Sequence, residues 1–168
     1  AGRGRTYVAA REVPLLALRP AVEEPGPGGT AIATLGLTRG QALRLIAAEK
    51  MSEAAAVFQA ALDIAAKAGV MNAYIAPNLA WLATARRLEL ECYRGYLTQR
   101  RRALLRQAER AARRSVRLAR WFQNDLPHAL RELGIVMILR GKTARGLKLF
   151  DRSIAVAERQ GAKYEQAL

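Results

Sequence analysis

The chain has 168 residues, 51% of them hydrophobic, and a formal charge of +14. These values suit one domain with a sizeable core and exclude a disordered or collagen-like chain. No apolar run is long enough to cross a bilayer, no signal-peptide pattern opens the sequence, and the single cysteine, Cys92, rules out an internal disulfide and fits a reducing, cytoplasmic setting.

The basic residues are mostly Arg, 23 of 28. That balance favours phosphates, acidic proteins or anionic membrane surfaces as partners, unless it only reflects an Ala/Arg/Leu-rich genome. The sequence opens on Ala1 and stops inside an apparent helix, Tyr164 to Leu168, as a piece of a longer protein would; a processed N-terminus also accounts for Ala1.

Residues 1–37 differ from the rest of the chain. Thr6 to Val13 reads as a short strand, Pro14 and Pro20 interrupt the next stretch, and Glu23 to Gly29 is a Pro/Gly linker by composition. The segment is either the tail of an upstream domain or an arm packed on the helices. From Thr38 onward good helix formers dominate. The expected helices are 38–49, 52–68, 73–96, 100–123, 126–140 and 143–160, with another starting at 163. Ser52 is the expected N-cap of the second, Asn124 to Pro127 opens the fifth, and Gly69, Gly141 and Gly161 are stops.

These helices repeat. Ala112–Leu130 laid over Phe150–Leu168, a shift of 38, brings Arg114 onto Arg152 and Ser115 onto Ser153. A shift of 92 brings Phe58 onto Phe150 and Gly69 onto Gly161. Helix pairs recurring at this period are expected to bury their apolar faces on one another.

Leu130, Leu133-Gly134, Gly146, Phe150 and Ser153 resemble a tetratricopeptide repeat in their spacing. Gly134 and Gly146 would let antiparallel helices approach closely, and Phe150 would fill the space between repeats. Ala42, Ala54, Phe58 and Ala61 hold the matching places in a first unit; Ala80, Ala108, Ala112 and Ser115 hold them in a middle one. The family's proline after the second helix is absent, with Glu158 in its place, and the unit is about 38 residues long. Such elongated repeats resemble arrays found downstream of ATPase modules in bacterial signalling regulators. The resemblance implies an all-α solenoid of antiparallel helix pairs over 38–168, non-catalytic and without cofactor, binding a protein segment, an effector or a sister domain.

The middle unit is stretched. Gly134 to Phe150 is 16 steps, whereas Ala80 to Ala112 is 32. Shared between two helices, the excess predicts a hairpin projecting roughly 12 Å past its neighbours. Residues 86–120 hold 12 Arg against Glu89, Glu91 and Glu109. Arg102, Arg106, Arg110, Arg113, Arg117 and Arg120 recur at steps of three and four, inside an arc of roughly 80° on a helical wheel. This ridge is either a contact surface for an acidic protein, a sister domain or nucleic acid, or a solvated helix face.

A second surface is implied by the resemblance. The groove lined by the first helix of each pair would present Arg39, Leu43, Ile46, Tyr74, Trp81, Thr84, His128, Arg131, Ile135 and Ile138, although Trp81 and the isoleucines also suit ordinary core. His128, alone at a helix start, reads as a cap or surface residue, and Cys92 as a buried small apolar one. No metal set and no group of nucleophile, base and orienting residue can be assembled. The leading expectation is an interaction or sensor module of a larger regulatory protein; the alternative is a basic helical domain that binds nucleic acid through the Arg ridge.

Overall fold

A computed structural model describes residues 38–69, 72–73, 75–95 and 98–162. The strand and linker read in 1–37, Tyr74 and the helix start at 163 lie outside these residues. Among the described residues there is no strand. Helix α1 covers 38–47. It is followed by α2, Met51–Lys67, α3, Ala76–Cys92, and α4, Thr98–Ala119. A 3-10 turn, Gln123–Asp125, leads into α5, Leu126–Leu139, and α6, Thr143–Arg159, is the last helix among the described residues. None of these helices is long and apolar enough to cross a membrane.

The helix ends follow local chemistry. Gly141 takes φ +76, donates to the Ile138 carbonyl at 2.8 Å, and is followed by Lys142 donating to Met137 at 2.9 Å. This pair of bonds closes a helix through a left-handed residue, which glycine adopts without a Cβ penalty. The turn between α1 and α2 repeats it with Glu49 at φ 58, donating to Ile46, and Lys50 donating to Leu45. Lys50 and Lys142 then enter the next helix with nearly the same backbone angles, φ −95, ψ 62 and φ −96, ψ 55. The first and third pairs therefore share one turn geometry at the 92-residue shift. Ser52 is not the N-cap of α2; Lys50 holds that place and Ser52 lies inside the helix. The buried side chain of Met51 explains the earlier start, because it joins the core in the first turn.

Each helix from α2 to α5 packs on its successor, and α3 also packs on α5. The first helices of the second and third pairs are thus in direct contact. One continuous core runs through α1 to α6, from Ala42 and Phe58 through Leu79, Ala112 and Leu130 to Val156. Within the last pair the backbones approach closely at two glycines. A Cβ on Gly146 would stand 2.8 Å from the Gly134 carbonyl oxygen, and one on Gly134 would stand 2.6 Å from the Phe150 ring. Phe150 therefore fills space against its own partner helix.

The middle pair is longer than the third, with 17 and 22 residues against 14 and 17. Counted from the matched positions, α3 continues 12 residues past Ala80 to Cys92, while α5 ends five past Gly134. On the returning arm of the hairpin, α4 begins 14 residues before Ala112 and α6 seven before Phe150. Counted this way, the middle pair has about seven more helical residues on each arm than the third. Cys92 is the last residue of α3 and is exposed, not buried as expected.

Val136 in α5 is fully buried in the core. Val136→Asp would strand a carboxylate without a partner, and the last pair is expected to lose its cooperative melting transition. Leu133→Asp should be milder, because Leu133 borders an arginine-lined cleft where a carboxylate finds cations. Equal melting temperatures for the two variants would show that the sites do not differ in this way.

Candidate functional site

Among the described residues, the first-helix candidates do not form the open strip that the resemblance implied. Thr84 and His128, expected to face a partner, are buried where α3 meets α5, with His128 only 3% exposed. Thr84 Oγ1 lies 3.2 Å from the Ala80 carbonyl, to which it donates, and shares a 2.9 Å hydrogen bond with His128 Nε2. Trp81 meets the His128 ring edge to face at 4.8 Å. His128 Nε2 is also 3.8 Å from Glu132, which accepts a 2.7 Å hydrogen bond from Arg87 Nε. Arg87 reaches Glu91 as well, at 2.6 Å.

Burial works against the charge on Arg87, but Glu132 and then Glu91 outweigh it and hold its pKa above the ordinary arginine value. These groups satisfy one another and tie the two first helices together. His128 is thus neither cap nor surface residue. Of the other groove candidates, Arg39, Trp81 and Arg131 are half-buried.

The six ridge arginines, Arg102, Arg106, Arg110, Arg113, Arg117 and Arg120, are all exposed along α4 and just beyond it. They are not equivalent. Arg113 donates to Glu109 at 2.8 Å, and Arg140 at the end of α5 also pairs with Glu109, a carboxylate only 8% exposed. Arg113 is therefore partly a structural tie. Arg110, Arg117 and Arg120, by contrast, have no carboxylate partner among the described residues.

Beside the ridge the structure opens a cleft of about 740 Å³. Its walls come from the second helices α2, α4 and α6, which pack mainly on first helices rather than on one another. At its base lie core leucines with almost no accessible surface, Leu79 and Leu82 of α3 and Leu130 and Leu133 of α5, and the half-buried Leu149 of α6. Arg110, Arg113, Arg114, Arg117 and Arg120 project from the α4 side, Arg145 and Arg152 from α6, and Arg86 from α3. A second cleft of about 460 Å³ shares Arg120 and Arg152 with the first and continues to Leu126, Val156 and Arg159. No Asp or Glu is among the described residues lining either cleft.

Arg86, Arg114, Arg145, Arg152 and Arg159 were missed as site residues. Two signals pointed to the last four: the match of Arg114 with Arg152 at the 38-residue shift, and the seven-residue spacing of Arg145, Arg152 and Arg159. Among the described residues, no three metal-binding side chains come together. No protein-family model matches the chain, and neither a curated protein nor a solved structure gives a significant match.

Proposed function

We propose that this chain is a non-catalytic interaction module of the tetratricopeptide-like type, which recognises the acidic surface of a protein or sister domain through the arginines of α4 and α6, as part of a larger regulatory protein. The observation that carries this reading is the cleft itself, a channel between rows of arginine with no acid in its described lining. Like charges gathered without counter-charges repel. Such an arrangement is favoured when an anionic partner supplies the missing charge, and guanidinium forks engage carboxylates in two-pronged contacts. The shared turn of the first and third pairs and the stacking of α3 on α5 support the repeat reading.

A second reading, nucleic-acid binding, is favoured by one observation: Trp121, next to Arg120, is 84% exposed, and an exposed indole is a platform on which a base can stack.

Titration of the chain with poly-L-glutamate and with oligouridylate, at about 50 and 200 mM salt, separates the two. Changing Arg106, Arg110, Arg117 and Arg120 together to Gln, with Arg113 retained to hold Glu109, is expected to leave helicity unchanged and weaken poly-L-glutamate binding by about tenfold or more. Tighter binding of oligouridylate with a steep salt dependence, lost in Trp121→Ala, would transfer the function to nucleic acid.

A further inference from the structure

The outer face of the last pair corresponds in position to two faces that are covered elsewhere in the chain. At the shifts of 92 and 38 residues, Leu147 of α6 stands where α2 has Ala55 and α4 has Glu109, and Ile154 stands where they have Leu62 and Val116. Those four residues of the earlier pairs are all buried, and the next first helix packs on the helix that carries them, α3 on α2 and α5 on α4. In the last pair Leu147 is 53% exposed and Ile154 is 45% exposed. On α5, Ile138 is half-buried, whereas Ile46 of α1 and Thr84 of α3, each four residues past the matched Ala42 and Ala80, are buried. Phe150, also half-buried, packs against Gly134 of α5 beside these side chains. They form an accessible apolar seam, the kind of face that inner units of a repeat array bury on a neighbour.

Along the outer edge of the seam run Asp151 and Glu158, the two acids of α6, both exposed and neither with an ion-pair partner among the described residues. On a helical wheel Leu147, Asp151, Ile154 and Glu158 fall inside an arc of roughly 60°, and Arg145, Arg152 and Arg159 lie about 110–150° from its centre. The places of Asp151 and Glu158 are held by Arg113 and Arg120 in the middle pair. The rim therefore changes sign from the middle pair to the last.

We propose that this seam is the docking site for a basic amphipathic helix of a partner protein, seated on α6 as α5 is seated on α4. Its Leu or Ala side chains cover Leu147, Phe150, Ile154 and Ile138, and its Arg or Lys side chains meet Asp151 and Glu158. It rests on the repeat correspondence and not on the arginine cleft, which lies on the other side of α6 and takes a partner of opposite charge. Continuity with the interfaces of the earlier pairs makes the occupant a helix, and charge complementarity makes it basic. The chain already shows such a match within itself: α5 brings Arg140 to Glu109 of the helix it covers. A second copy of the chain suits the seam less well. Pairing Leu147 of one copy with Ile154 of another about a two-fold axis sets the two Asp151 carboxylates beside the axis, where they repel.

The test uses the whole 168-residue chain and labelled peptides of about 16 residues followed by fluorescence anisotropy. The first carries Leu at helical spacing flanked by Arg. The second has the same composition with its leucines scattered around the wheel, and the third keeps the stripe but carries Glu in place of Arg. The Arg-flanked striped peptide is expected to bind at least about tenfold more tightly than the scattered one. Leu147→Gln/Ile154→Gln should lower its affinity by about tenfold and keep the melting midpoint, because both side chains are exposed. Asp151→Asn/Glu158→Gln should lower it by about threefold or more, and Arg117→Gln/Arg152→Gln should not weaken it. A photo-cross-linker at the peptide's centre should mark α5 and α6.

Equal affinity for the striped and scattered Arg peptides overturns the docking inference and leaves the acidic-partner reading standing. So does binding that Leu147→Gln/Ile154→Gln leaves unchanged. A dimer of the chain alone in sedimentation, dissolved by the same double change, overturns it in favour of a second copy. A disulfide formed within one chain by Ile154→Cys/Leu168→Cys, with Cys92→Ser, overturns it in favour of the chain's own last residues. Seam-dependent binding of the Arg-flanked peptide, alongside a Glu-flanked peptide indifferent to Arg117→Gln/Arg152→Gln, supports the inference and removes the acidic-partner reading.

Discussion

Glu132→Ala is expected to lower the melting temperature by roughly 10–15 °C. Glu132 is 1% exposed and accepts from Arg87, whose own side chain is only 13% exposed. Removing one partner of a buried, hydrogen-bonded ion pair leaves a buried charge undercompensated, here an Arg87 that keeps only the more exposed Glu91, and costs about 3–5 kcal/mol. At this chain length each kcal/mol shifts the midpoint by about 2–4 °C. The loss is larger than that of a surface pair because Glu132 also faces His128, which Thr84 and Trp81 hold in place. The double change Arg87→Met/Glu132→Leu should recover much of the stability, since apolar residues of similar volume remove both desolvation penalties. Thermal unfolding followed by circular dichroism reads both variants. An unchanged midpoint for Glu132→Ala would mean that the pair is solvated and that α3 and α5 are not joined through it.

Two glycine substitutions are expected to act in opposite directions. Gly146→Val should destabilise by roughly 2–3 kcal/mol, because its Cβ would press on the backbone carbonyl oxygen of Gly134 at 2.8 Å, and a carbonyl held in α5 cannot swing aside as a side chain can. The helices of the last pair would have to separate, loosening Phe150 from its seat on Gly134. Gly40→Ala should instead stabilise by roughly 0.5–1 kcal/mol. It lies in α1, and nothing stands within 4 Å of its added Cβ. Denaturant unfolding of the two variants measures the contrast. If both shift stability the same way, helix propensity rather than close packing governs the glycines.

The all-helical class, the positions of the breaks and the exposure of the Arg ridge were legible in the sequence because each depends on neighbours along the chain. Good helix formers make helices wherever they run without interruption, and Gly141 ends one because a left-handed residue closes the last turn through two local bonds. Arg110, Arg117 and Arg120 face solvent because the opposite side of the same helix carries Ala108, Ala112, Ser115 and Ala119. Even the length of the middle hairpin came from counting residues between matched positions.

Other features were decided only when distant segments met. Thr84 and His128 are 44 residues apart, and neither segment alone indicates that stacking α3 on α5 would bury both in one network with Glu132 and Arg87. Cys92 is a small apolar residue of the kind found in cores, yet it stands exposed at the end of α3. The cleft draws its edges from α4 and α6 and its floor from α3 and α5, so it exists only once the second helices stand apart on the first. Periodicity along a chain defines which face of a helix is apolar, but which faces come together, and what space they leave between them, is set by the packing of side chains far apart in sequence.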